Sequence, residues 1–297
     1  MRKRECPVSR RGTTVDLISV LLIVVGGVIL MTMVTSVAVI GMDSLRAARK
    51  ELRYQLRESG PYIVGLAVIY GLNKLAHEFS DPIAAVIGIE ITDTLLAIEG
   101  GFVAGLQGLF PDSAVWFFAF AYVFGFAFLL IFPIVAYLLL PTQRHLKELL
   151  VAFIINYSAG TVFYTMFIAY GPRNALPNIV AQPMFDTFPE IMVLTSAINT
   201  SSNVFPSLHT SLVITVLIFA WYTREEYPRW LSVCAFFTIS IVISTMYLGI
   251  HWAIDVVAGV ILAAASVYLS RRFVAWAENR KGTRSTRTSR MEAETQD

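Results

Sequence analysis

Apolar runs long enough to cross a bilayer recur along this chain, and they restrict its architecture more than any other feature. A hydrocarbon core about 30 Å thick needs about 20 predominantly apolar residues per helix at the helical rise. Such runs fall at roughly residues 15–40, 61–79, 114–140, 149–170, 206–222, 231–249 and 252–270. The expected fold class is therefore an all-α integral membrane protein, a bundle of six or seven transmembrane helices. The second run is the least apolar: PYIVGLAVIYGL ends in Asn73, Lys74, His77 and Glu78 and is also compatible with an interfacial helix.

Composition agrees, because 56% of the 297 residues are hydrophobic and only 15% are charged, against about 25% in a typical soluble domain. The net charge of +2 hides a segregation of Lys and Arg into the first eleven residues, residues 46–57 and the tail from Arg271 onward. That is a pattern of membrane topology, and it excludes nucleic acid as a partner. No Lys or Arg occurs between Lys74 and Arg144, whereas Glu78, Asp81, Glu90, Asp93, Glu99 and Asp112 do. Residues 80–113 are thus expected to face outward, with the PTQRHLKE and TREEYPRW turns and the Arg-rich tail in the cytoplasm. The basic residues at 2–11 and 46–57 cannot both be cytoplasmic if one helix separates them, so either the N-terminus is outside or 61–79 does not span. The 26-residue apolar run after MRKRECPVSRR exceeds a signal-peptide core and reads as a permanent anchor.

Three regions follow: a basic tail, anchor and amphipathic juxtamembrane segment (1–60), a catalytic bundle (61–270), and a basic tail predicted to be disordered (271–297). The segment RAARKELRYQLR at 46–57 reads as an amphipathic helix on anionic headgroups. Cys6 and Cys234 have neither metal-ligand spacing nor a reason to pair.

Ionisable groups at membrane depth are costly unless paired or solvated, which draws attention to two of the four histidines. His209 lies in VFPSLHTSLVITV and His251 in STMYLGIHWAIDVVAGV, each at the outward end of an apolar span. Between them the chain descends one helix, turns at TREEYPRW and returns through a second, which brings His251 back to the level of His209. Asp255 follows His251 by one helical turn, so its carboxylate can orient one imidazole nitrogen and leave the other free as a nucleophile or base. Pro206 suits a first helical residue, and the N–H groups of Ser207, Leu208 and His209 behind it form a site of the kind that binds phosphate. His209, one turn in, is placed to give a proton to a leaving oxygen. Beyond residue 75, Arg173 in YGPRNALP is the only Lys or Arg expected on the outward side, and its guanidinium suits bidentate phosphate binding. Lys74 is a further candidate cation.

FPSLHT and the later S-x6-H-x3-D resemble the second and third motifs of the type-2 phosphatidic acid phosphatase superfamily, with GPR standing for the first. The resemblance covers roughly residues 114–270. It implies that His251 takes the phosphoryl group as a phosphohistidine, that Asp255 orients it, and that His209 protonates the leaving group. It also implies that Ser207 and Arg173 hold the phosphate oxygens of a lipid substrate, with no metal or cofactor; the free N–H of Leu208 adds to the phosphate site, and the Lys/Arg pattern puts that site at the cell membrane's outer face. The third motif usually carries Arg six residues before its His, where this chain has Thr245. The Lys expected seven residues before Arg173 is Met166, and Leu208 stands where the phosphatases usually have Gly. In these departures the chain resembles the lipid phosphotransferase branch that includes the inositol phosphorylceramide and sphingomyelin synthases. A phosphodiester carries one negative charge where a monoester carries nearly two, so it needs fewer cations.

Each of these residues also has a plainer reading. His251 with Asp255 can be a polar pair tying helices together, Ser207 a helix cap, and Arg173 a rim charge among headgroups. Glu90, Asp93 and Glu99 read as a solvated helix face, and Trp116 and Tyr122 as packing or interfacial anchors. A transporter with a His/Asp proton relay is the rival class, but it predicts broken helices at the midplane. An intramembrane serine hydrolase built on Ser207 would want a glycine-flanked turn, which Pro-Ser-Leu does not supply. Neither oligomeric state nor the particular lipid follows from these residues.

Overall fold

The computed structural model describes residues 17–48, 51–189, 191 and 203–294; Cys6, the N-terminal basic cluster and residues 192–202 of the 171–205 loop lie outside them. Helices dominate, and five are long and apolar enough to cross a membrane: Ile18–Ile40, Ala114–Leu138, Arg144–Met166, Pro228–Tyr247 and Ala253–Arg280. The protein is thus a multi-pass helical membrane protein. In chain order the elements are α1 (Leu17–Thr35), α2 (Met42–Ala48), α3 (Leu52–Ile87), β1 (Ile89–Glu90), α4 (Thr92–Glu99), α5 (Phe102–Gln107), α6 (Ala114–Phe120), α7 (Phe126–Leu138) and α8 (Arg144–Met166). Then come β2 (Phe167–Ile168), α9 (Pro172–Ala175), α10 (Pro183–Thr187), α11 (Leu208–Tyr222), α12 (Pro228–Tyr247) and α13 (Ala253–Glu294). A π-helical turn, Ala121–Gly125, joins α6 to α7 into one span.

The boundaries follow local chemistry. Proline opens α9, α10 and α12 at the first helical position, where its missing N–H is no loss. The last helix runs on through the basic tail, to Glu294, where composition predicts disorder. The basic segment 46–57 is not one amphipathic helix: α2 ends at Ala48, α3 begins at Leu52, and Gln55 and Ser59 are buried, bonding to Leu140 and Gln143.

α3 lies alongside α8 in the same direction. Glu58 pairs with Lys147, Gly65 packs on Ile154, and Asn73 bonds to Tyr157 and Thr161. It is longer than the predicted 61–79, and part of its polarity is accommodated because Glu58, Ser59 and Asn73 are turned toward α8. At this end of the bundle two charges on α8 are almost fully buried, Lys147 between Glu58 and Glu278, and Glu148 between Arg144 and Arg271. Buried charges persist only when paired, so these contacts bind α3, α8 and α13 together. Arg229 adds the end of the first span, Ile18–Ile40, to the same end of the bundle by donating to the carbonyl of Ala38.

The core between α7, α8, α11 and α12 is built from Phe128, Phe132, Leu149, Leu212, Val216, Phe219 and Trp230. In lipid such packing works by close contact and dispersion, since the surrounding chains are as apolar as the side chains. At the opposite end from the charged cluster, β1 pairs in parallel with β2, and Ala169 bridges Asn203. This short pairing ties the 88–91 segment and the entry to α11 onto the end of α8, where the candidate site lies.

Candidate active site

His251 sits in a turn whose two sides are fixed independently. α12 ends in a Schellman motif: Gly249 has a φ of 68°, its N–H bonds to Met246, and the Ile250 N–H reaches back to the Thr245 carbonyl at 3.0 Å. The His251 N–H donates to that same carbonyl, also at 3.0 Å. Thr245 therefore closes the turn with its backbone, and its hydroxyl bonds back to Val242. On the other side α13 begins with half a capping box: Asp255 is its third residue, and Oδ2 accepts the Trp252 N–H at 2.8 Å. The same oxygen lies 3.4 Å from His251 Nδ1, a loose contact of the kind that tightens when a substrate is engaged. Asp255 Oδ1 is buried without a hydrogen-bond partner among the described residues. Burial, reinforced by the Arg173 charge and opposed by the Val204 carbonyl, moves the His251 pKa down, which favours the neutral imidazole.

α11 starts two residues later than Pro206 leads one to expect. Ser207 is the cap, its hydroxyl accepting the Thr210 N–H at 3.3 Å, and Leu208 is the first helical residue. The Ser207 N–H is not free for a ligand either, since it donates to the Asp255 carbonyl at 3.1 Å. The N–H groups of Leu208 and His209 are left without a partner within the helix, as in any first turn. This end of α11 touches α13 at Gly259, where a Cβ would stand 2.6 Å from the Ser207 carbonyl. The Tyr164 hydroxyl holds Pro206 from α8 by donating to its carbonyl at 3.1 Å.

The two histidines meet as the hairpin predicts, with ring centroids 5.8 Å apart. The His209 ring also stacks on Tyr122 at 4.8 Å and leans on Phe126 at 4.5 Å. Tyr122 is thus more than the packing anchor it reads as in sequence, whereas Trp116, 63% exposed against Phe188, fits that description.

Arg173 reaches the site through the backbone. Its N–H donates to the Gly249 carbonyl at 3.1 Å, and Gly171 lies so close that a Cβ would be 2.3 Å from the Ile250 carbonyl. The GPR segment therefore rests directly on the turn that carries His251. The guanidinium lies over the Phe185 ring at 4.4 Å, and its Nη1 is buried without a hydrogen-bond partner among the described residues. Burial moves the Arg173 pKa down, opposed by Tyr122, because enclosure disfavours the charged form.

Lys74 is exposed on α3 and joins none of these contacts. Glu90 and Asp93 are exposed, but Glu99 is not part of a solvated face: its Oε2 accepts the Ile254 N–H at 3.1 Å and its Oε1 is buried. Glu99 thereby caps α13 from outside, beside Asp255. Sequence reading also passed over Gln107, whose amide bonds to Ala181 and Tyr247 and holds the 176–183 segment onto the end of α12. Both are single polar residues in loop-rich sequence, and nothing in their spacing marks them. Among the described residues no three His, Cys, Asp or Glu side chains converge as metal ligands would.

The site thus combines an imidazole beside a carboxylate, a second imidazole, a buried guanidinium and the N-terminus of a helix. A family model described as the PAP2 superfamily matches residues 95–269, which include all of these groups. No curated protein and no solved structure matches the chain.

Proposed function

The chain belongs to the PAP2 superfamily, whose members are generally phosphatases or phosphotransferases, and from that premise we propose that it transfers phosphoryl or phospho-headgroups of lipids through a phosphohistidine on His251. The observation that carries this reading is the buried Nη1 of Arg173, without a hydrogen-bond partner among the described residues, on a segment that rests on the turn of His251 with a second imidazole beside it. An enclosed guanidinium is costly unless an anion completes it, and a phosphate matches its fork.

In the first step the His251 nitrogen turned away from Asp255 attacks phosphorus. The bond to the leaving oxygen breaks, and His209 gives that oxygen its proton. Asp255 stabilises the charge that develops on His251, while Arg173 and the Leu208 and His209 N–H groups hold the phosphate oxygens. In the second step His209 takes the proton of an acceptor hydroxyl, whose oxygen attacks phosphorus and releases His251. Ser207 supports the site as a helix cap.

Thr245, whose backbone closes the turn while its side chain bonds to Val242, adds no cation, which favours a singly charged phosphodiester and the phosphotransferase branch. The clustering of Lys and Arg in the PTQRHLKE and TREEYPRW turns favours an outward-facing site. Purified protein incubated with labelled lipid phosphates and phosphodiesters, with and without alcohol acceptors, tests the reading. It predicts new esters when an acceptor is present, an acid-labile, base-stable phosphate on quenched enzyme, and loss of both in His251→Ala. Turnover that survives His251→Ala overturns it.

A further inference from the structure

His251 has a carboxylate and a backbone carbonyl to fix its ring, but His209 has neither. No side-chain hydrogen bond to His209 is found among the described residues, and what touches its ring is aromatic: Tyr122 on one side, Phe126 on another. Tyr122 is close to parallel with the imidazole, at 28°, and Phe126 is tilted at 46°. Both belong to the stretch where the third span is locally π-helical. Tyr122 lies within the π turn Ala121–Gly125, and Phe126 is the first residue after it. Turns of this kind widen a helix, shift the register of the side chains on either side, and recur at functional sites. Below the turn, α6 packs Val115, Phe118 and Ala119 against Met184, Tyr247 and Leu248. Above it, α7 packs Phe128 and Phe132 against Trp230. The π turn separates these two commitments and gives the residues between them to His209.

We propose that Tyr122 and Phe126 are positioning residues whose rings hold the His209 imidazole in the orientation it needs to exchange a proton with the leaving and attacking oxygens. The inference rests on the reading of His209 as the acid and base of the reaction. What the pair supplies is geometry: an imidazole stacked on the Tyr122 ring and leaned on by Phe126 is held against rotation, with His251 beside it. The Tyr122 ring, more than its hydroxyl, is the working part.

Two measurements test this. The first compares a lipid substrate, whose alkoxide must leave with a proton, with a nitrophenyl ester, whose phenolate leaves without one. General acid catalysis contributes about 10²–10⁴-fold, so a loosened His209 should cost at least about tenfold in kcat on the lipid and no more than about threefold on the nitrophenyl ester. That split is expected for Tyr122→Leu and Phe126→Leu, with KM little changed. Tyr122→Phe, which keeps the ring, should recover most of what Tyr122→Leu loses. Equal losses on both substrates, or a Tyr122→Phe enzyme as impaired as Tyr122→Leu, overturn the proposal. The second measurement does not depend on turnover. In protein labelled at histidine, the His209 ring protons, assigned by their absence in His209→Ala, should be shifted upfield by the flanking ring currents, and each leucine variant should remove part of that shift. Unshifted His209 resonances overturn the clamp whatever the activity. A wild-type enzyme that turns over nitrophenyl esters independently of His251 refutes the functional reading instead.

Discussion

Asp255→Asn separates catalysis from folding at the point where this site joins the two. One carboxylate oxygen of Asp255 serves both the Trp252 N–H at 2.8 Å and His251 Nδ1 at 3.4 Å, while the other is buried without a partner among the described residues. Asparagine retains an oxygen for the Trp252 N–H, so the start of α13 survives. It loses a negative charge at a helix N-terminus, worth about 0.3–1 kcal/mol, and also relieves the burial of a carboxylate charge. These effects oppose each other, so stability should change by no more than about 1 kcal/mol. The histidine is affected differently, because the amide no longer stabilises a charged imidazole and can favour the wrong tautomer. In serine-protease triads the same exchange costs about 10⁴ in kcat. The longer contact here sets the expectation at about 10²–10⁴, or about 2.7–5.5 kcal/mol of transition-state stabilisation. The assay pairs single-turnover formation of the labelled histidine with thermal unfolding in the same detergent. An Asp255→Asn enzyme within about tenfold of wild type would refute the orienting role, and a matching loss of stability would reduce Asp255 to a helix cap.

Arg173→Lys keeps the charge but loses the fork that a phosphate would engage, so kcat/KM should fall at least about tenfold while the unfolding temperature holds; unchanged kinetics would return Arg173 to the rim. Gly171→Ala puts a methyl group 2.3 Å from the Ile250 carbonyl, so it should push the GPR segment off the His251 turn and lower activity more than stability. Wild-type activity in that variant would mean the segment is free to move. Glu99 supplies the pH test: burial raises its pKa, against the Ala253 and Ile254 N–H groups that lower it. A raised pKa means that its contribution to stability is fully present below the usual carboxylate range and is lost as pH rises through the shifted value. Glu99→Gln keeps an acceptor for Ile254 without the charge, so wild type should lose stability relative to the variant as pH rises through that window. A difference that does not change with pH would refute the assignment.

What could be read in the sequence was what repeats or what lipid penalises. Apolar runs identify spans because composition alone decides whether a helix tolerates hydrocarbon, and His209, His251 and Asp255 stand out because few titratable groups are left among those runs. The hairpin arithmetic placed the two histidines together because helix length is a property of the chain. α3 was harder, since hydropathy averages around the helix, whereas Glu58, Ser59 and Asn73 are turned toward α8, where their polarity is satisfied. Tyr122 and Glu99 could not be read at all. A tyrosine in an aromatic-rich span has no local mark that separates a ring against lipid from one against a catalytic imidazole. A glutamate in a polar loop looks solvated until the start of another helix, far along the chain, is brought to it. Pro206 shows the same limit at a finer scale, because the proline rule for helix starts is local, while the start itself is set from elsewhere. The Asp255 carbonyl takes the Ser207 N–H, and Gly259 lets α13 come close enough for that bond. The candidate site is thus assembled by α13 acting on α11, so substitutions at Gly259 should disturb His209 as much as His251 without touching either.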